Sequence, residues 1–362
     1  MLLKRSAPAR TDEDAGLLVR RTMAACLQDG GRNTCYKRAA EDFFQRFGLK
    51  GTLALFAQNE SANEVYARCH EVTHYLSRQE FERVGSIPLV YASCDSTCHG
   101  GCYHGVLEAA LAAETNRDAA DAVADQFPKI CGSPADYRQP LVFNECFHGL
   151  GHAAMFVTET DLPRSLQLCD TLTTDDARER CYSGVFMENS SSSTNLDHPS
   201  TYIKADDPYF PCNSLDERYR KICYRYQSSH FALISRHDWQ KVATLCEGVP
   251  AAYRRECFRT VGTNQVGFTK DMNAWKTNCE RMPPPYQATC VEGVVSSLTY
   301  RFVGDVRRVE SFCQLTKPEH QHPCIAQLGT ALHDWNPSPA AHQTWCAELS
   351  SPIFRHWCSE RG

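Results

Sequence analysis

Residues 237–266 read HDWQKVATLCEGVPAAYRRECFRTVGTNQV. Trp239, Val242, Ala243, Leu245 and Cys246 recur at helical spacing. Gly248-Val249-Pro250 then interrupts the pattern, and Tyr253, Cys257, Phe258 and Val261 resume it. The stretch is therefore a helix, a tight turn and a second helix. One cysteine sits near the end of the first helix and another about two turns into the second. The chain repeats this plan. Trp275 leads to Cys279, prolines 283 to 285 intervene, and Tyr286 leads to Cys290; Val309, Cys313, Pro318 and Cys324 do the same. Proline after the first cysteine suits the first turn of the second helix. Ser214-Leu215-Asp216-Glu217, ahead of Cys223, reads as a capping box for the equivalent helix.

Working outward, the cysteines pair by spacing as Cys169/Cys181, Cys212/Cys223, Cys246/Cys257, Cys279/Cys290, Cys313/Cys324 and Cys346/Cys358, 11 or 12 residues apart. The first members of the last five pairs recur every 33 or 34 residues, a period of helical-hairpin solenoids. In an antiparallel hairpin the two cysteine positions face each other, so each pair is expected to be a disulfide closing a loop worth roughly 3 kcal/mol by chain entropy. The fold class is all-α: a solenoid or superhelix of disulfide-stapled helical hairpins. In period and cysteine placement it resembles the Sel1-like and tetratricopeptide-like repeats of secreted bacterial proteins, although the Trp-x-x-Leu-Gly signature of the latter is missing. The N-terminal part varies the plan. Cys26/Cys35 is expected as a local staple and Cys131/Cys146 as a stretched pair, while Cys69, Cys94, Cys98 and Cys102 allow two bridges of undetermined connectivity. Residues 1–48 read as a helical cap, 49–211 as histidine-rich repeats and 212–362 as the C-terminal repeats of one continuous array. A polar loop at 189–211 breaks the period and is placed to cover the mouth of a site; Asn189-Ser190-Ser191 within it matches a glycosylation sequon.

Composition narrows the setting. The 362 residues are 42% hydrophobic, enough for a real core, and the formal charge of −5 argues for neither nucleic acid nor an acidic substrate. No run of about 18 apolar residues offers a membrane span. Twenty cysteines in regular pairs, without a zinc-type CxxC…CxxC arrangement, point to structural disulfides and a secreted or periplasmic protein. Lys4 and Arg5 are followed by no apolar stretch, so no signal peptide is visible: either the chain starts after cleavage or export takes another route.

The chemistry gathers in three echoing segments: Cys69-His70-Glu71-Val72-Thr73-His74, Cys102-Tyr103-His104-Gly105-Val106-Leu107-Glu108 and Cys146-Phe147-His148-Gly149-Leu150-Gly151-His152. Histidines at i and i+4 share one helix face. Six of the 14 histidines lie between residues 70 and 152, and structure alone does not require such clustering. Counted two and six residues past the second cysteine of each unit, the positions are His104 and Glu108, then His148 and His152, then Ser183 and Met187 after Cys181, with Arg259 and Thr263 later. One face is thus histidine-rich early and loses that character along the array. A glycine follows the histidine at Gly105 and Gly149 and recurs at Gly184 and Gly293, which reads as close helix packing.

Three such helices side by side are expected to hold a transition metal on His70, His74, His104, His148 and His152, zinc first, with copper or iron as alternatives. His70-Glu71-Val72-Thr73-His74 also resembles, at this motif only, the HExxH of zincin metallopeptidases. That resemblance implies His70 and His74 as ligands and Glu71 as general base; neither a Met-turn nor a close downstream ligand accompanies it. Glu108 is a second candidate base, and His99, Glu188 and Asn189 are candidates to support the ligands from behind. Cys94-Asp95-Ser96-Thr97-Cys98-His99 is one residue too long for c-type haem attachment. His230, His333 and the His320/His322 pair are expected on solvated faces. The function expected is a metal-assisted hydrolase acting on a small molecule or peptide, the rivals being a copper or iron oxidoreductase and a non-catalytic solenoid that binds a peptide or glycan.

Overall fold

In the computed structural model, residues 12–29, 33–60, 62–115, 124–137, 140–191, 200–302, 305–336 and 338–360 are described, and every regular element among them is helical. The chain divides into two compact units, Met1–Val106 and Leu107–Gly362.

In the first unit α1 (Asp12–Gln28), α2 (Asn33–Gln58) and α3 (Asn63–Val84) pack on one another, with the short α4 (Ile87–Tyr91) against α3. Gly48 bends α2 at a φ of 67°, a conformation that costs a glycine little. Phe43 and Phe56 meet across that bend at a centroid distance of 6.0 Å. The four crowded cysteines pair as Cys69–Cys98 and Cys94–Cys102, and Cys26–Cys35 staples α1 to α2. Helix α5 (Gly101–Thr115) leads into the second unit.

The second unit is the disulfide-stapled repeat. Its first helices are α7 (Leu162–Asp170), α10 (Trp239–Gly248), α12 (Met272–Glu280), α14 (Val306–Leu315) and α16 (Pro339–Ala347). Its second helices are α8 (Asp175–Ser191), α9 (Glu217–Ile234), α11 (Arg254–Phe268), α13 (Gln287–Arg301), α15 (Pro318–Trp335) and α17 (Pro352–Ser359), with α6 (Pro140–Val157) ahead of them in the same layer. The disulfides are those the spacing predicts: Cys131–Cys146, Cys169–Cys181, Cys212–Cys223, Cys246–Cys257, Cys279–Cys290, Cys313–Cys324 and Cys346–Cys358. Asp161, Asp238, Asp271 and Asp305 cap α7, α10, α12 and α14 by accepting from first-turn backbone N–H groups. Replacing both Cys279 and Cys290 with serine is expected to lower stability by about 3 kcal/mol in denaturant unfolding; an unchanged midpoint would count against the clamp.

The second helices pack in succession, α6 on α8, then α9, α11, α13 and α15. Glycines set their spacing. A Cβ at Gly184 would lie 2.0 Å from the His148 carbonyl oxygen, and one at Gly293 1.8 Å from that of Arg259, so these backbones touch. The layer curls until α15 returns to α6, and Tyr300 on α13 donates to Glu145 on α6 at 2.8 Å. Within this unit the array is therefore a closed turn with an inner face. Cysteines, and the residues four and eight positions beyond them, face the first helices and are buried, as with Cys290, Val294 and Leu298. Positions two and six beyond the cysteine lie about 200° and 240° round the helix and face inward.

Several local expectations are corrected. Cys181 is bonded to Cys169 as expected, but it is more than half of a staple. A Cβ at Gly151 would lie 2.0 Å from the Cys181 carbonyl oxygen, so the backbone of α8 at Cys181 also rests on α6, a second contact that the cysteine spacing does not reveal. Asp216 holds the N-cap of α9 without a side-chain cap bond, and Ser214 instead donates to the Pro211 carbonyl at 2.8 Å, so no capping box forms. Pro250 and Pro283 precede single 3₁₀ turns ahead of α11 and α13, whereas Pro318 opens α15 as expected. The polar loop starts later than 189, because α8 runs through Ser191. Asn189 is 1% exposed and accepts from Ser200 at 2.6 Å, so folding buries the sequon; residues 192–199 lie outside the described residues. His230 and His320 are buried at 3% and 8% exposure rather than solvated, because α9 and α15 are each flanked on both sides by second helices, whereas His322 and His333 are exposed.

Candidate metal centre

In the first unit the disulfide and the glycines build the site. Cys69–Cys98 draws the Cys98 carbonyl to α3, where His70 Nδ1 donates to it at 2.8 Å. A cysteine beside a histidine thus does two things: it clamps the helix and fixes the ring. Helix α5 lies directly on the same turns. A Cβ at Gly101 would come within 2.6 Å of the His70 carbonyl oxygen, and one at Gly105 within 2.2 Å of that of His74. His104 therefore enters the space beside the i, i+4 pair. Ring centroids are 4.7 Å apart for His70–His74, 5.3 Å for His70–His104 and 5.3 Å for His74–His104. One ring nitrogen from each lies within 4.8 Å of the others. The His70 and His74 Nε2 atoms are 3.1 Å apart.

In the second unit both imidazoles of α6 are held from behind. His148 Nδ1 donates to Ser183 Oγ at 2.7 Å, and Ser183 in turn donates to the Arg180 carbonyl at 2.6 Å. The Cys169–Cys181 bridge sits two residues before Ser183 and anchors the turn of α8 that presents it. His152 Nδ1 donates to Glu188 Oε2 at 2.8 Å. In the neutral rings these bonds assign the protons to Nδ1 and leave both Nε2 atoms as acceptors. They face each other at 3.2 Å. Two acceptors at that distance repel unless a proton or a cation sits with them. Two nitrogens each about 2.0–2.1 Å from one tetrahedral ion lie about 3.3 Å apart, so the observed separations fit shared coordination. Serine and glutamate behind the rings are the kind of partner that orients metal-binding histidine.

The other candidates separate cleanly. Glu71 pairs with Arg68 at 3.3 Å, and Arg68 lies over the Tyr36 ring, so the HExxH glutamate is engaged by a cation. Glu108 is buried on α5, one turn past His104. Glu188 accepts from His152, whereas Asn189 holds the Ser200–Tyr202 segment. The side chain of His99 lies outside the described residues. His342, Cys346 and Cys358 also come together, but both cysteines are spent in a disulfide and His342 donates to the Gly329 carbonyl at 3.1 Å, a structural contact.

Sequence reasoning missed Glu145. Its signal was available: it is the single carboxylate of the apolar helix PLVFNECFHGLGHAAMFV. It is buried, Tyr300 donates to it, and burial pushes its carboxyl up while Tyr300, Arg180 and His152 pull it down. A carboxyl raised on folding favours the native state below its unfolded value and loses that contribution as pH rises. Glu145→Gln is therefore expected to raise the melting temperature at pH 7 by about 2–4 °C, the response of a domain this size to roughly 1 kcal/mol, and to have no such effect below about pH 4. Equal shifts at both pH values would contradict the assignment.

A comparison with known proteins finds no matching family model, no matching curated protein and no matching solved structure.

Proposed function

We propose that the chain is a histidine-ligated metalloenzyme acting by metal-assisted hydrolysis, with zinc as the first metal. The observation that carries this reading is the facing of paired imidazole Nε2 atoms at 3.1 and 3.2 Å, with Nδ1 of His70, His148 and His152 held by protein acceptors. Three imidazoles, from His70, His74 and His104, leave a fourth position open, the ligand count of catalytic zinc. A metal held there supplies a nucleophile near neutral pH by acidifying water. The chain's own part is to hold and orient the imidazoles and to accept a proton. Glu108, buried one turn from His104, and Glu71, paired with Arg68, are the candidates for that second task.

Ten disulfides, with no free cysteine among the described residues, fit an oxidising compartment, and no described helix is long and apolar enough to cross a membrane. A secreted or periplasmic setting, and a small-molecule or peptide substrate, are parts of the proposal. The His148/His152 pair favours one second reading, a copper or iron oxidoreductase, since additional imidazoles suit those metals. Elemental analysis of the purified protein decides between them, run beside His70→Ala/His74→Ala and His148→Ala/His152→Ala variants shown to be folded by circular dichroism. About one or two equivalents of zinc, reduced in each variant, is expected. Copper or iron moves the oxidoreductase first. Protein that is metal-free and takes up no added zinc, copper or iron overturns both.

A further inference from the structure

The inner face of the second unit carries more than the α6 histidines. Two residues beyond the second cysteine, α9 and α11 place Arg225 and Arg259; six residues beyond, α9, α11, α13 and α15 place Ser229, Thr263, Ser296 and Thr330, all half-buried. Hydroxyls and two guanidiniums thus share this face, away from the buried cysteine stripe.

Arg259 stands out by its partners. Arg225 is neutralised by Glu256 at 2.7 Å, and Arg255 by Glu292 at 2.7 Å. Glu256 and Glu292, two carboxylates that support the Arg259 charge, are therefore taken by its neighbours, and its own hydrogen bond goes to a neutral group, Ser296 Oγ, at 3.2 Å. Desolvation disfavours the Arg259 charge, Glu292 and Glu256 support it, and Arg225 and Arg255 oppose it. The helix cannot drift to relieve this, because α13 touches the Arg259 carbonyl at Gly293. A partly desolvated guanidinium with no carboxylate in direct ion-pair contact among the described residues is an incomplete ion pair. Groups from helices that are not neighbours in the layer converge here: Arg180 on α8 and Arg259 on α11 both act on Asp334 of α15.

We propose that this inner face is a binding site for a small oxyanion-bearing ligand, a carboxylate or a phosphate, anchored by Arg259 with the Ser296 hydroxyl beside it. The planar guanidinium offers a fork of donors that matches either group. The site stands without any metal. If the α6 imidazoles do hold one, the same face would present an acid-bearing substrate to it, an extension that rests on the metal reading.

Calorimetric titration of the full chain with inorganic phosphate and with succinate, at constant ionic strength held with sodium chloride, tests the proposal. Saturable binding of at least one is expected, weakened about tenfold or more in Arg259→Gln. Glu292→Gln is expected to bind more tightly than wild type, since it removes a competing charge beside Arg259; a purely structural role for Arg259 gives no such gain. Phosphate alone or both anions binding names the preferred group. Absence of saturable heat with either anion, or an Arg259→Gln affinity within about threefold of wild type in a folded variant, overturns it. Metal content measured on the same samples reports separately on the histidines, because Arg259 is not among the proposed ligands.

Discussion

His104→Ala is expected to lower the metal affinity of the His70/His74/His104 centre by more than about 100-fold, because losing even an outer partner of a ligand typically costs 10–100-fold and this change removes a ligand. His70 and His74 would remain a chelating i, i+4 pair, but two imidazoles do not hold an ion against a competing chelator as three do. The variant should fold, since alanine is a good helix former and the hole sits beside a polar cluster rather than in the aliphatic core. Competition with a chromogenic chelator reads the result: wild type retains the ion and His104→Ala releases it. If His104→Ala retained the ion as wild type does, the three-histidine centre would be wrong.

Gly105→Ala should do comparable damage without touching any ligand. The added Cβ would lie 2.2 Å from the His74 carbonyl oxygen, 2.4 Å from Ser77 Oγ and 2.7 Å from the His74 Cα. Two of these are backbone atoms of α3, so the strain is relieved only by moving α5 off that helix. Overpacking of this kind costs about 1–3 kcal/mol, and the same movement withdraws His104 from His70 and His74. A lower unfolding midpoint together with weakened metal binding is expected. Gly51→Ala provides the contrast: its Cβ would meet only the Phe47 Cβ, at 3.2 Å, and alanine is favoured over glycine in a helix. If Gly105→Ala bound metal as wild type does, the glycine contact would not be what places His104.

The repeats could be read from the chain because a cysteine is both a mark of register and a covalent constraint. Cys246 and Cys257 fix which faces of two helices meet, and the 33–34-residue period carries that choice along the array. The histidine face followed from the same register, since the spacing of His148 and His152 places both rings on one side of α6 whatever the neighbours do. The backbone contact of Cys181 with Gly151 was not legible in the same way, because cysteine spacing reports the partner helix of a hairpin and not the helix of the preceding unit. The crowded Cys94, Cys98 and Cys102 gave no guide either, because spacing so short satisfies several pairings. The closure of α15 onto α6 was beyond local reading as well. It depends on Tyr300 meeting Glu145 across 155 residues, and no periodicity encodes the curl of a layer. The HExxH pattern was silent for a related reason on the surroundings of Glu71: it does not encode the pairing with Arg68, which lies over the Tyr36 ring. Asn189 looked like a loop residue because serines follow it, yet α8 continues through it and Ser200 returns to its side chain.

The most direct test is X-ray absorption at the edge of whichever metal copurifies with this chain, or of zinc added to chelator-treated protein. A first shell of imidazole nitrogens at about 2.0–2.1 Å, with the multiple scattering of histidine rings and a loss of nitrogen scatterers in His104→Ala, is the expected result. A shell of oxygens or sulfurs alone, or one unchanged by removing the histidines of both centres, would contradict it.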